Sequence, residues 1–313
     1  MSELTPIAAA YKKYLDALVG AGLLIPSGVR GVYGRGGAFE DVIDRFENYV
    51  TRQGAHLKAE VMRFPPILNR ATYTCTDHIH NFPDLLGSVH GFKGGEREQV
   101  EMIRKLDAKE DWTRDLGATE VMMVPAACYP LYPAVSGTLP PGGRTVDLKT
   151  FVFRHEPSDD PARMQIFRQR EYVRLGTPDE AIESRDFWLK CGLEILKSLG
   201  LNASVVVAND PFFGRGGRLR KATQREQDLK HEIVVPICSE EQPTAVSSCN
   251  YHLDSFGGKF KILSSDGNVA HTSCIGFGLE RIALALFKTH GLDVGTWPSE
   301  VRTLLQFDSA VTG

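Results

Sequence analysis

Two stretches of this 313-residue chain bring together residue types that chemistry needs side by side. Phe153-Arg154-His155-Glu156 reads as the end of one strand. Arg163-Met164-Gln165-Ile166-Phe167-Arg168-Gln169-Arg170-Glu171 reads as the start of the next, with a polar loop between. A strand-turn-strand unit of this kind can set a guanidinium against a phosphate, a carboxylate against an exocyclic amine and an aromatic face under a base. Nucleotide activation can use all three contacts. An isolated Arg154/Glu156 pair is more often an ordinary surface ion pair on one strand face, so the surrounding segments have to choose between the two readings.

Those segments are legible as elements. Ala38 to Tyr49 places Phe39, Val42, Ile43 and Phe46 at helical spacing, and Ala59 to Phe64 is a short strand stopped by Pro65-Pro66. Lys149 to Arg154, Ala203 to Ala208 and Glu232 to Ile237 alternate or run apolar as strands do, which implies a mixed sheet. Thr177-Pro178-Asp179-Glu180 has the cap, first-turn proline and capping-box glutamate of a helix start. Ile182, Leu189, Leu193 and Leu196 continue that helix and Gly200 ends it. Gly276 to Thr289 reads as a glycine-rich turn opening an apolar helix whose amides could face an anion. Thr138 to Arg144 and Gly214 to Arg220 are loops.

With 42% hydrophobic and 24% charged residues the composition is that of a globular protein with a sizeable core. A net charge of -3 supplies no basic excess of the kind a protein lying along a long nucleic acid uses. The apolar stretches fall short of the roughly 20 residues that span a bilayer, and the N-terminus has no basic region followed by an apolar core. A cytoplasmic protein without membrane contact is expected. The six cysteines, Cys75, Cys128, Cys191, Cys238, Cys249 and Cys274, form no CxxC pair, and the nine histidines form no HExxH. Asp77-His78-Ile79-His80 reads as a polar loop or helix start and receives no role.

Taken together the segments resemble the class II aminoacyl-tRNA synthetases. The helix-strand-proline segment matches that family's first motif, Phe153 to Glu171 its second, and Cys274 to Arg281 (CIGFGLER) its third, in the family's order. The likeness runs from about Ala38 to Phe287. It is nearest to seryl-type enzymes, because His231 to Pro236 and Ser247-Ser248-Cys249 follow their late-core pattern. It implies an α+β fold with an antiparallel sheet flanked by helices, one catalytic domain over residues 1–313 with insertions, and a homodimer formed through the first motif. It also implies that Arg154 and Arg281 hold the phosphates of ATP as the catalytic cations, that Glu156, Arg163 and Met164 meet the adenine end, and that Phe167 stacks on the base. Ala245, Val246, Ser247 and Ser248 would line the nucleotide. Mg²⁺ would accompany ATP, but Ala245 stands where seryl enzymes carry a magnesium-binding glutamate. Glu232 remains as either a magnesium ligand or a solvent-facing strand charge. Such a site aligns an amino-acid carboxylate with the α-phosphorus and uses no protein nucleophile.

Two departures from the pattern are informative. Cysteine at Cys128 replaces a glutamate of ordinary seryl enzymes, and Cys274 replaces the first glycine of the third motif. With Glu171 they make a Cys2Glu set resembling that of methanogen-type seryl-tRNA synthetases and their short homologues, the amino acid:carrier-protein ligases. The resemblance implies one Zn²⁺ per chain with an open position for the substrate's amino group, Glu171 at the amino-acid site, and a small substrate, glycine or alanine. The acceptor implied is the phosphopantetheine thiol of an acidic carrier protein. Arg215, Arg218, Arg220, Lys221 and Arg225, within about 214–230, could steer that carrier or could be a solvated helix face. Only 37 residues precede Ala38 and 26 follow Phe287, which argues against a tRNA partner. The competing expectations are a truncated seryl-type tRNA synthetase and a non-catalytic sensor or scaffold.

Overall fold

A computed structural model describes residues 4–208 and 229–308. Its centre is a seven-stranded sheet in the order Ser204–Val207, Lys230–Val235, Thr244–Tyr251, His271–Gly278, Ile166–Gly176, Arg144–Phe153, Glu60–Met62. Every neighbouring pair is antiparallel except the last, which is parallel. The long hairpin Arg144–Phe153/Ile166–Gly176 is the strand-turn-strand unit expected from the sequence, with Phe153 opposite Ile166.

One face of the sheet is sealed. Thr177 Oγ1 accepts from the Glu180 amide while Glu180 returns a bond to the Thr177 amide, so the capping box forms and launches the helix Pro178–Ser198. That helix lies across the central strands. Trp188 packs at 4.4 Å on Tyr172 and edge-on to Phe277, and Gly192 lets the backbone come down onto Ile275 and Ile233. The first-motif helix Gly37–Gly54 buries Phe39, Val42, Ile43, Phe46 and Val50 on one stripe. Its Phe39 stacks on Phe287 of the helix Leu279–His290. Beside this core stands a second, three-stranded antiparallel sheet in the order Ile67–Asn69, Leu116–Met123, Ser88–Phe92.

The glycines expected to form a turn do something else. Gly276 and Gly278 lie in the strand His271–Gly278, and the helix begins only at Leu279. The strand pairing on both sides holds that backbone extended. No helix among the described residues is long and apolar enough to cross a membrane.

Candidate functional site

Strand register writes the other face of the sheet. Antiparallel partners point their side chains the same way, and alternate residues along a strand share a face. Gly276 lies opposite Glu171 on one side and Ser248 on the other, Cys274 lies opposite Asn250, and Ser248 lies opposite Glu232. Residues 169, 171, 232, 248, 250, 274 and 276 therefore all face one cavity of about 560 Å³. At Gly276 a Cβ would sit 3.6 Å from Glu171 Cγ and 3.8 Å from Ser248 Oγ, so any longer side chain would project into the cavity floor.

At one end the cavity holds Cys128, Glu171 and Cys274, all buried. Cys128 arrives from the loop after the strand Leu116–Met123, the other two from the neighbouring central strands. The two thiols share a hydrogen bond, which holds the Cys274 sulfur well below the ordinary thiol range and drives Cys128 well above it. Burial, with the Cys274 sulfur beside it, pushes the Glu171 carboxyl up to about 8. Glu171 Oε1 accepts from the Ala127 amide at 2.8 Å, whereas its Oε2 is buried without a hydrogen-bond partner. An unpartnered buried oxygen costs about 1–3 kcal/mol. Among the described residues no group of three His, Cys, Asp or Glu side chains is spaced to grip an ion as it stands. The donor set nevertheless fits a soft divalent metal: two sulfurs and a carboxylate oxygen lacking a partner.

The other end is cationic. Arg154 and Arg281 place their guanidinium carbons 5.5 and 5.9 Å from the centroid of the Phe167 ring. Arg154 donates to the Pro125 carbonyl, and Arg281 to the carbonyls of Ala162 and Ala245. Burial, reinforced by Arg154 and Arg163, lowers Arg281 to about 10. A bound anion would relieve that crowding. Arg163 pairs with Glu156 at 3.1 Å and Glu232 with Lys230 at 3.2 Å, both at the cavity wall. Val246 and Ser248 also line it, and Ser247 gives its hydroxyl to the Gly276 carbonyl. Met164 departs from expectation: its side chain is buried in the hydrophobic core and does not line the cavity. In the loop before the strand Ile166–Gly176, Ala162, Met164 and Gln165 are buried and Arg163 alone is turned out.

Phe167 and Arg281 are braced from behind by Glu280, which is 1% exposed. Its carboxylate accepts from the Arg168 amide at 2.7 Å and Arg168 Nε at 2.9 Å, and pairs with Arg35 at 3.0 Å. Arg168 reaches on to Glu40 of the Gly37–Gly54 helix through two bonds. One ion network thus ties all three motifs together.

Several lining residues had no role in the sequence reading: Gln169, Asn250, His252, Tyr129 and His78. Gln169 and Asn250 could have been found by carrying the strand alternation two residues beyond Glu171 and Ser248. The basic residues Arg215, Arg218, Arg220, Lys221 and Arg225 lie outside the described residues.

No family model matches this chain. The fold is that of the class II aminoacyl-tRNA synthetase catalytic core. The chain superposes with a TM-score of 0.78 on the Methanopyrus kandleri seryl-tRNA synthetase, at 20% identity, covering 98% of this chain and 61% of that one. A TM-score of 0.68 relates it at 13% identity to the cytoplasmic serine-tRNA ligase of Naegleria fowleri. In sequence it is 43% identical over 282 residues to amino acid–[acyl-carrier-protein] ligase 1 of Bradyrhizobium diazoefficiens, covering 89% of this chain and 86% of the relative. It is 44% identical over 293 residues to ligase 2 of that organism, covering 93% and 87%. The type-2 serine–tRNA ligase of M. kandleri is more distant, at 26% identity, and this chain spans 53% of its length. The chain belongs to the amino acid–[acyl-carrier-protein] ligase family and is a ligase.

Proposed function

We propose that this enzyme activates a small amino acid, glycine or alanine, with ATP and transfers it to the phosphopantetheine thiol of a carrier protein. The observation that carries this reading is a single cavity with two arginines over Phe167 at one end and Cys128, Glu171 and Cys274 at the other, floored by Gly276. In the first step a carboxylate oxygen of the amino acid bonds to the α-phosphorus, and the bond to the leaving pyrophosphate breaks. Arg154 and Arg281 neutralise the charge that develops on the phosphoryl oxygens, already fixed in place by backbone carbonyls. Phe167 takes the base on its face, and Glu156 accepts from the exocyclic amine. In the second step the thiolate sulfur bonds to the carbonyl carbon and AMP leaves, the thiol proton passing to solvent.

Cys128, Glu171 and Cys274 are the residues that would hold one zinc ion per chain. When bound, the ion supplies a Lewis-acid position for the substrate's amino group. Glu232 would serve Mg²⁺ brought with ATP, since Ala245 offers only its carbonyl, which Arg281 occupies. A small substrate is favoured by the rings packed behind Cys274: Tyr132 stacks on Phe256 at 3.9 Å, and His252 stands edge-on to both. A homodimer through the Gly37–Gly54 helix and the edge strand Glu60–Met62 is supported by the exposed Val61. The basic residues 215–225 are the proposed carrier contact, and the whole chain acts as one catalytic domain.

ATP–pyrophosphate exchange with each common amino acid, followed by mass spectrometry of a carrier protein, tests the reading. Exchange confined to glycine or alanine with a thioester on the carrier supports it. Charging of tRNA without a thioester points to the truncated synthetase, and absence of exchange points to a sensor or scaffold.

A further inference from the structure

We infer that Asn250 and His252 are positioning residues for Cys274, whose N–H groups aim its sulfur and share its charge as a metal ligand; this rests on the zinc reading above. Asn250 is the direct cross-strand partner of Cys274, and its Nδ2 lies 3.6 Å from Cys274 Sγ. The same amide is 3.5 Å from Ser248 Oγ, which keeps it in the plane of the cavity floor. His252 follows the end of the strand Thr244–Tyr251 and is fastened twice to Thr272, which is fully buried. Its backbone amide donates to the Thr272 carbonyl at 2.8 Å, and its Nδ1 lies 2.9 Å from Thr272 Oγ1. When the Thr272 hydroxyl donates to Nδ1, the ring proton is on Nε2, which lies 3.6 Å from Cys274 Sγ. Phe256, edge-on at 5.1 Å, limits rotation of the imidazole.

Two donors, two residues apart at the end of one strand, therefore converge on one sulfur, as the Ala127 amide does on Glu171 Oε1. The physical reason is charge. Two thiolates and a carboxylate around a divalent ion leave a net negative charge in a buried site, and N–H···S bonds spread it while fixing the direction of the ligand. Outer partners of this kind are worth about 10–100-fold in metal affinity.

The test is zinc affinity of the full chain, read by competition with a chromophoric chelator, together with the thiolate-to-metal absorption of the cobalt-substituted protein. His252→Phe keeps the ring and its packing but removes the donor, Asn250→Leu removes the amide at similar volume, and His252→Gln retains an N–H. Each of the first two is expected to weaken zinc binding by about 10–100-fold and shift the cobalt band, with His252→Gln recovering most of the loss. Affinities and spectra within twofold of wild type for both, while Cys274→Ser loses the metal, would overturn the inference and leave the zinc reading standing. Wild-type protein that holds no zinc, or holds it no better than Cys274→Ser, overturns both. Far-UV circular dichroism checks folding; if His252→Phe does not fold, Asn250→Leu decides.

Discussion

Glu280 is a hub whose loss should be felt in stability and catalysis together. Glu280→Gln keeps the shape but removes the charge and turns one acceptor into a donor facing other donors. Arg168 would still have Glu40, whereas Arg35, with 11% of its side chain exposed, would lose its carboxylate. Burial already disfavours the Arg35 cation, so without Glu280 its persistent charge would be left uncompensated. Removing one member of a buried pair costs about 3–5 kcal/mol, a large part of the 5–15 kcal/mol that typically holds a domain together. Urea unfolding should register that loss. The double variant Arg35→Met/Glu280→Gln should cost less than the sum of the single changes, because no uncompensated cation remains. In folded protein the KM for ATP should rise, since Phe167 adjoins Arg168 and Arg281 adjoins Glu280. A loss under about 1 kcal/mol for Glu280→Gln, or strict additivity in the cycle, would refute the reasoning.

The Glu171 carboxyl, ordinarily near 4.5 and raised to about 8 in the fold, makes a contribution to metal-free stability that falls with pH. Because the folded value lies above the unfolded one, this contribution is full below about 4.5 and is lost as pH rises through about 8. The lowered Cys274 thiol contributes in the opposite sense, so the decline is read as the difference in urea midpoint between chelator-treated wild type and Glu171→Gln across that window, while affinity for the proposed zinc should climb; a flat difference counts against the assignment. Phe167→Leu removes the face offered to the base and should raise the KM for ATP about 5- to 150-fold, from about 1–3 kcal/mol of stacking, with the amino-acid KM little changed in exchange kinetics. Gly192→Ala would set a Cβ 2.9 Å from Ile275 Cδ1 and 3.1 Å from Ile233 Cδ1. It should cost about 1–3 kcal/mol in thermal unfolding, partly relieved by Ile275→Val.

What the sequence by itself determined was local or motif-borne. The Thr177 capping box, the apolar stripe of Phe39 to Phe46 and the Phe153 to Glu171 hairpin depend on near neighbours, so their residue types are enough to specify them. The family resemblance also singled out Arg154, Arg281, Cys128, Glu171 and Cys274 from the sequence. Tertiary structure alone decided what stands around them. Gly276 and Gly278 look like a turn until pairing on both sides holds them in a strand. Asn250 becomes a neighbour of Cys274 only through strand register. Glu280 gathers Arg35 and Arg168 from distant segments because those largely buried charges are balanced by carboxylates that the fold brings in. His252 turns toward Cys274 because Thr272, on the adjoining strand, holds its ring. Such contacts have no fixed spacing along the chain, because they are set by which strands pair and in what register.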